Sequence, residues 1–445
     1  MRLKIPPKVE RIINVLETHG FEAYAVGGCV RDSILNRVPD DWDITTSAQP
    51  EEVKKLFYHT VDTGILHGTV TVMLGRDGFE VTTYRLDGKY EDGRHPKEVT
   101  YTASLKEDLK RRDFTINAMA YNPSEGLVDL FGGMEDLQRK VIRCVGNPEE
   151  RFREDALRIL RAVRFSAQLG FDILPETRRA LRALAPNLRL ISAERIQTEL
   201  VKILVSPHPE YLKIAWEEKI TKEILPEFDV LMETPQNTPH HCMSAGEHTL
   251  KSMEEIPPLK ALRLTMLLHD MGKGVCRTTD ENGRDHFKGH GKFSEEIARD
   301  ILKRLKFDND TLYRVCRLVK WHDYRPEPTS KAVRKAVNKI GPDLFEDYLL
   351  VQKADALAQS EYKQEEKLLR IREVEGLFRE IQREKQCVSL EELAVSGKDL
   401  IALGMKPGRE MGILLHELLE MVLEDPAKNE KEFLKEQVKK RLKEN

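Results

Sequence analysis

The chain has 445 residues, enough for roughly two to four domains, and its 40% hydrophobic and 33% charged residues describe a soluble composition richer than average in charge. A net charge of −3 carries no global sign of nucleic-acid binding, so a basic surface has to be local. No apolar run reaches bilayer length, MRLKIPPKVE lacks the apolar core of a signal peptide, and the six cysteines (Cys29, Cys144, Cys242, Cys276, Cys316, Cys387) show no CxxC spacing. The expectation is a cytoplasmic protein with free thiols, no zinc-cysteine site and no membrane association.

A first helix over Lys8–Thr18 leads into a short apolar strand, Phe21 to Val26, that breaks at Gly27-Gly28. A helix-like segment follows from Val30 to Leu35, and a second strand carries Asp41-Trp42-Asp43. Alternation along that strand puts Asp41 and Asp43 on one face. Two adjacent carboxylates repel unless a cation lies between them, and hard Mg²⁺ suits such a pair. The Gly-Gly turn exposes backbone N–H groups at a helix start, which favours phosphate. Together GGCVRD and DDWDITT resemble the signature of the polymerase β-type nucleotidyltransferases, and within them the tRNA nucleotidyltransferase and bacterial poly(A) polymerase family. The resemblance implies an α+β fold: a head with a small sheet and helices, followed by all-α neck, metal-binding and tail domains.

Two further strands are expected at Thr69–Leu74 and Phe79–Tyr84, joined by a turn at Arg76-Asp77-Gly78. Glu80 on the second is the candidate third catalytic carboxylate beside Asp41 and Asp43, completing a site for two Mg²⁺ ions. The polar segment DGKYEDGRHP, Asp87 to Pro96, reads as a loop. In the resembled family a loop here lets one pocket accept first C and then A. In LKRRDFTINAMAY, Arg111 and Arg112 can neutralise a triphosphate, Asp113 can cap the following helix, and Asn117 falls one turn further along. The stretch matches the family's RRDFTxNA motif. A strand-like VDLFGG follows, whose Asp129 the resemblance assigns to bracing the head.

Residues 151–200 contain ten arginines, no lysine and six acids, a local basic window suited to phosphates or base edges. Helical spacing runs from Arg151 to Phe171, with Asp155, Arg158, Arg161 and Arg164 recurring every third residue along one strip. Cytosine and adenine both offer an amine donor beside a ring-nitrogen acceptor, which a carboxylate and a guanidinium match. Asp155 and Arg158 fall on the family's EDxxR motif, whose Asp and Arg read the incoming base. Gly27, Gly28, Arg31, Arg111, Arg112, Asp113, Asn117, Arg161 and Arg164 complete the expected nucleotide site. ERIQTEL, Glu194 to Leu200, is expected to stabilise this neck by packing and capping.

Further on, His248 is followed by His269-Asp270 in LLHDMGKG, His290 in KGHGKFS, His322 in KWHD and Asp355 in KADALAQ. A histidine and an aspartate buried by helix packing need a partner or a metal. The pattern resembles an HD phosphohydrolase domain with His248, His269, Asp270 and Asp355 as ligands and His290 and His322 available for a second metal. Such mixed ligands suit a transition-metal ion better than Mg²⁺. The tail, centred on Ser396–Val422, reads as two helices separated by Gly404 and Pro407-Gly408, with Ile413, Leu414, Leu418, Met421 and Val422 on the apolar face of the second. It resembles the part of bacterial relatives that contacts the tRNA elbow.

These readings divide the chain into a catalytic head (1–140), a base-reading and RNA-binding neck (141–235), an HD metal domain (236–360) and a tRNA-binding tail (361–445). The implied activity is untemplated addition of C, C and A to tRNA from CTP and ATP. Rivals are an A-adding enzyme or poly(A) polymerase and, from another class, an HD phosphohydrolase with a regulatory nucleotide-binding head. Oligomeric state is left open.

Overall fold

The head is organised by β1 (Ala23–Val26), every residue of which is buried. Around it lies a seven-stranded sheet of order β3-β4-β5-β2-β1-β8-β9, built with β2 (Ile44–Thr46), β3 (Thr60–Gly64), β4 (Thr69–Leu74), β5 (Asp77–Thr83), β8 (Met119–Asn122) and β9 (Gly126–Asp129). A separate ribbon pairs β6 (Arg85–Asp87) with β7 (Val99–Tyr101). All neighbours in the large sheet are antiparallel except β2 and β5, where Ile44 is level with Val81. The computed structural model describes residues 2–64, 68–87, 99–240 and 243–444. The Asp87–Pro96 loop therefore lies outside the described residues from position 88 onward, as does Cys242; the other five cysteines are free thiols. Among the described residues no helix is long and apolar enough to cross a membrane.

Several expected boundaries move. The hairpin turn is shorter than expected, Gly75-Arg76, because pairing of Leu74 with Asp77 carries both strands to its edge. Asp41 to Asp43 precede β2 instead of lying within it, although Val26 N–H still donates to the Asp43 carbonyl at 3.0 Å. The RRDF motif is followed by a single 3₁₀ turn, Thr115–Asn117, and Asp113 caps no α-helix. Its Oδ1 accepts instead from Phe114 N–H at 2.8 Å and from Asn117 Nδ2 at 3.2 Å. Asp129 ends β9 and accepts from the N–H groups of Gly133 and Met134, holding the entry to the helix Gly133–Arg139.

The largest correction concerns the arginine-rich stretch. It is two helices, Pro148–Glu154 and Leu157–Leu169, and Asp155 sits in the break between them. The second is buried on nearly all sides, Arg158 and Arg164 included, while the Arg161 side chain is 33% exposed, so the arginines do not form a fully solvated strip. It packs against the helix Ala193–Leu204.

Compact packing divides the chain between Pro226 and Glu227. The second unit is almost wholly helical, and its apolar tail core includes Leu414, Leu418 and Val422 around Leu434 and Val438. Ile413, expected on that face, is 48% exposed.

Gly133 has no room for a side chain, since a Cβ there would overlap the Thr115 carbonyl oxygen and lie 2.8 Å from Met119 Cγ. Gly133→Ala should lower unfolding free energy by about 3 kcal/mol through overpacking, read by urea denaturation. Gly126→Ala, in open space but at φ +85°, should cost only about 1 kcal/mol from backbone strain.

Candidate active site and a second metal-binding cluster

β1 ends at Gly27, whose φ of +83° turns the chain into the helix Gly28–Ile34. A Cβ at Gly27 would lie 2.9 Å from Arg112 Nη1, so the glycine serves both the turn and the approach of the guanidinium. The parallel pairing of β2 with β5 sets Asp43, just before Ile44, at the level of Glu80, just before Val81. Asp41, Asp43 and Glu80 line one cleft of about 850 Å³, and so does every residue of the expected nucleotide site, from Gly27 and Gly28 through Arg31, Arg111, Arg112, Asp113 and Asn117 to Asp155, Arg158, Arg161 and Arg164. Trp42 is not among the lining residues.

The carboxylates are electrostatically unsatisfied. Burial, then the neighbouring Asp41, pushes Asp43 up to about 6, with Glu80 adding to the effect and Arg112 opposing it. Carboxylates forced together in this way fit a divalent cation with oxygen ligands.

Opposite them the guanidinium groups form a connected lattice. Arg31 Nη1 donates to Asn117 Oδ1 at 2.6 Å, Asn117 donates to Asp113, and Asp113 Oδ2 accepts from Arg161 Nε at 2.7 Å. Burial alone would raise the Asp113 carboxyl, but Arg161 and Arg158 together with hydrogen bonds from Arg161 and Asn117 hold it down at about 2. Arg164 pairs with buried Glu199 at 3.2 Å. Phe165 packs amid three guanidinium groups, Arg164 at 4.2 Å, Arg31 at 5.1 Å and Arg161 at 5.3 Å from its ring centre. Arg111 is tied to buried Asp108 at 2.9 Å and so lies further from service as a free phosphate ligand than the sequence implied.

Asp155 and Arg158 both face the cleft and are joined through the backbone, where Arg158 N–H donates to the Asp155 carbonyl at 3.0 Å. Asp155 Oδ1 accepts from Leu157 N–H and Oδ2 from Arg195 Nη2 at 2.8 Å, while Arg158 pairs with Glu154 at 2.6 Å and donates to the Arg111 carbonyl. Buried Nε atoms of Arg112 and Arg164 and Nη1 of Arg195 have no hydrogen-bond partner. A cleft with donors left over is suited to an acceptor-rich, anionic ligand. Sequence reasoning missed Arg195, Glu199, Asp108 and Phe165 as parts of the site. Arg195 and Glu199 stand four apart on the helix Ala193–Leu204, a spacing that places both on one face and was available as a signal.

In the second unit all six expected ligands converge. Asp270 is central: Oδ2 lies 3.2 Å from His269 Nε2 and 3.8 Å from His248 Nε2, and Oδ1 lies 3.4 and 3.6 Å from the Nε2 atoms of His290 and His322. Asp355 Oδ1 is 3.0 Å from His248 Nε2. Two ligand triplets thus share Asp270, each with its donor atoms within 4.8 Å of one another. Every Nδ1 faces a backbone carbonyl: His269 to Met266 at 2.6 Å, His290 to Phe287 at 2.9 Å, His322 to Val319 at 2.7 Å and His248 to Ala358 at 3.4 Å. A carbonyl can only accept, so the proton belongs on Nδ1 and the Nε2 lone pairs point inward. The Nε2 atoms of His290 and His322 are then two lone pairs 3.0 Å apart, whose repulsion a shared proton or a metal ion would relieve. His269 Nε2 and Asp270 Oδ2 also lack aligned hydrogen-bond partners, although Lys273 Nζ lies 2.7 Å from the latter. The donor set fits a pair of transition-metal ions.

Residues 23–143 match the poly A polymerase head domain, 170–232 the probable RNA and SrmB-binding site of polymerase A, and 289–438 a putative tRNA nucleotidyltransferase domain 2. A CCA-adding enzyme of Enterococcus faecalis is 36% identical over 430 residues, covering 95% of this chain and 93% of the relative. The chain belongs to the CCA-adding enzyme family. A Leuconostoc citreum CCA-adding enzyme is 54% identical over 201 residues, a match spanning 45% of this chain and only 50% of the relative. Among solved structures, the Bacillus stearothermophilus CCA-adding enzyme in complex with CTP superposes with a TM-score of 0.74 at 30% identity, over 99% of this chain and 100% of that one. The Thermotoga maritima CCA-adding enzyme complexed with tRNA, at 22% identity and a TM-score of 0.59, shares the fold.

The raised Asp43 group makes the stability of the head depend on pH. Its folded value lies above the ordinary carboxylate range, so protonation favours the folded state, and the ionised form costs stability that is recovered as pH falls through about 6. In EDTA at about pH 8, Asp43→Asn should therefore melt a few degrees above wild type, and the gap should close below about pH 5 in thermal scans. Mg²⁺ should raise the melting temperature of wild type but not of Asp43→Asn.

Proposed function

We propose that this protein adds C, C and A to the 3′ end of tRNA from CTP and ATP. The carrying observation is the convergence of three carboxylates, the Gly27-Gly28 turn and the arginine lattice on one cleft, in a chain that matches a CCA-adding enzyme over almost its whole length. Asp41, Asp43 and Glu80 would hold two Mg²⁺ ions, which supply activation of the RNA 3′-hydroxyl and charge neutralisation on the departing pyrophosphate. Arg31 and Arg112, beside the N–H groups of the Gly27-Gly28 turn, bind the triphosphate. Asp155 accepts the exocyclic amine of C or A, and Arg158 donates to the ring nitrogen beside it. Uracil and guanine present the opposite pattern and are rejected. Arg195 and Glu154 hold that reading pair in place from behind. The neck helices and the tail bind tRNA through backbone and shape, as suits a pool of differing sequences. A cytoplasmic location accords with this role.

The Asp270 cluster supports a second reading for the same chain, a metal-dependent phosphohydrolase centre with His248, His269, Asp270, Asp355, His290 and His322 as ligands. Nothing in that geometry bears on nucleotide addition, so the two sites should separate by mutation.

Gel-resolved extension of a tRNA transcript lacking CCA tests the first reading. Two additions with CTP and a third only when ATP joins are expected; no CTP incorporation, with one A on a CC-ended transcript or a long A ladder, moves the assignment to an A-adding relative or poly(A) polymerase. Asp41→Ala should lower kcat by about a hundredfold or more. Arg158→Ala should raise misincorporation from UTP or GTP by about tenfold relative to CTP. His269→Ala should abolish Mn²⁺ binding at the second centre and leave tRNA extension intact; loss of both would contradict two independent sites.

A further inference from the structure

Asp355 is held from two directions. Its Oδ1 belongs to the histidine cluster, and its Oδ2 accepts from Arg325 Nη2 at 3.0 Å and from Gln359 Nε2 at 3.1 Å. The other arm of Arg325 donates to the His322 carbonyl at 2.7 Å. The same guanidinium lines a pocket of about 430 Å³ in the second unit, distinct from the cleft of the head and of a size that suits a small organic ligand.

The pocket is not uniform. Pro326, Pro328, Ile371 and Val374 give it an apolar floor. Two of its cations are already neutralised, Arg370 by Glu327 at 2.9 Å and Lys363 by Glu366 at 3.7 Å. Lys367 differs: half-buried, it hydrogen-bonds neutral groups, His240 Nδ1 at 3.1 Å and Gln359 Oε1, and although Asp355 and Glu366 attract it from further off, among the described residues no carboxylate comes within ion-pair distance of it. A half-buried ammonium with no carboxylate in direct contact favours an anion from outside. Six positions further along the same helix, about 9 Å away at the rise of an α-helix, Glu373 stands exposed on the pocket's rim, and among the described residues no cation pairs with it.

We propose that this pocket binds a nucleoside monophosphate carrying an exocyclic amine, with its phosphate on Lys367 and Arg325, its ring on the proline-isoleucine floor and its amine toward Glu373. Because Arg325 also holds Asp355, ligand and metal binding are coupled. A phosphate that engages Arg325 draws it from Asp355 and leaves that carboxylate a stronger metal donor, so the ligand tightens metal binding, and the metal tightens ligand binding by the same factor. Arg325 is thus a positioning residue whose grip on Asp355 the pocket controls. The inference rests on the reading of the Asp270 cluster as a metal centre.

The test uses the full-length chain carrying Asp41→Asn and Asp43→Asn, so that added Mn²⁺ reports the second centre alone, and follows Mn²⁺ affinity by calorimetry with and without 5′-AMP. The expected result is Mn²⁺ binding that 5′-AMP tightens by about fivefold or more, a response abolished by Lys367→Gln while Mn²⁺ affinity without AMP is kept. Absence of Mn²⁺ binding would overturn the metal-centre reading itself. Mn²⁺ binding indifferent to 5′-AMP would overturn only the pocket, as would a response that survives Lys367→Gln, which would place AMP directly on the metal. Inorganic phosphate producing the same tightening as 5′-AMP would overturn the assignment of a nucleoside.

Discussion

The nucleotide cleft depends on one buried carboxylate. Asp113 belongs to the head through its place after Arg111-Arg112 and the 3₁₀ turn that follows, and it accepts from Arg161 of the helix Leu157–Leu169. Breaking a buried pair by removing one partner typically costs about 3–5 kcal/mol, because the remaining charge stays desolvated. Here the orphaned group would be a guanidinium at the wall of the nucleotide cleft. The bond therefore does two things: it fixes the helix Leu157–Leu169 against the head, and it keeps several like charges tolerable in one place.

That tolerance is the second theme of the site. Asp41, Asp43 and Glu80 repel one another on one wall, and Arg31, Arg161 and Arg164 crowd around Phe165 on the other. Neither half is at its own electrostatic optimum. The strain on each would be relieved by the same class of ligand, a polyphosphate accompanied by divalent cations.

Much of this was legible in the chain. The Gly-Gly turn, the Asp-x-Asp pair and the arginine-rich helix carry local signals, and all fourteen expected catalytic and nucleotide-site residues line one cleft. Each of the six histidine and aspartate residues expected as ligands lies in the second cluster as a buried polar residue. What escaped was long-range pairing. Periodicity placed Asp155 and Arg158 on one helical strip, but Asp155 sits in a break and answers to Arg195, 40 positions away. Arg164 was expected in the nucleotide site, but spacing gave no sign of its partner, Glu199, which lies on another helix. Spacing reports a residue's own helix; it is silent on which distant carboxylate makes a buried arginine affordable.

The histidine centre shows the opposite economy. His269, His290 and His322 each send Nδ1 to the carbonyl three residues earlier in the chain, so the aim of every ring is settled within its own short stretch of backbone. The bundle has only to bring the pre-aimed ends together. Sequence drift in the surrounding helices can then alter spacing and register gradually while each ligand keeps its tautomer and direction. A centre assembled from such self-contained pieces can lose its chemistry by small displacements long before it loses its ligands, so the presence of the motif and the presence of turnover are separable properties on an evolutionary scale.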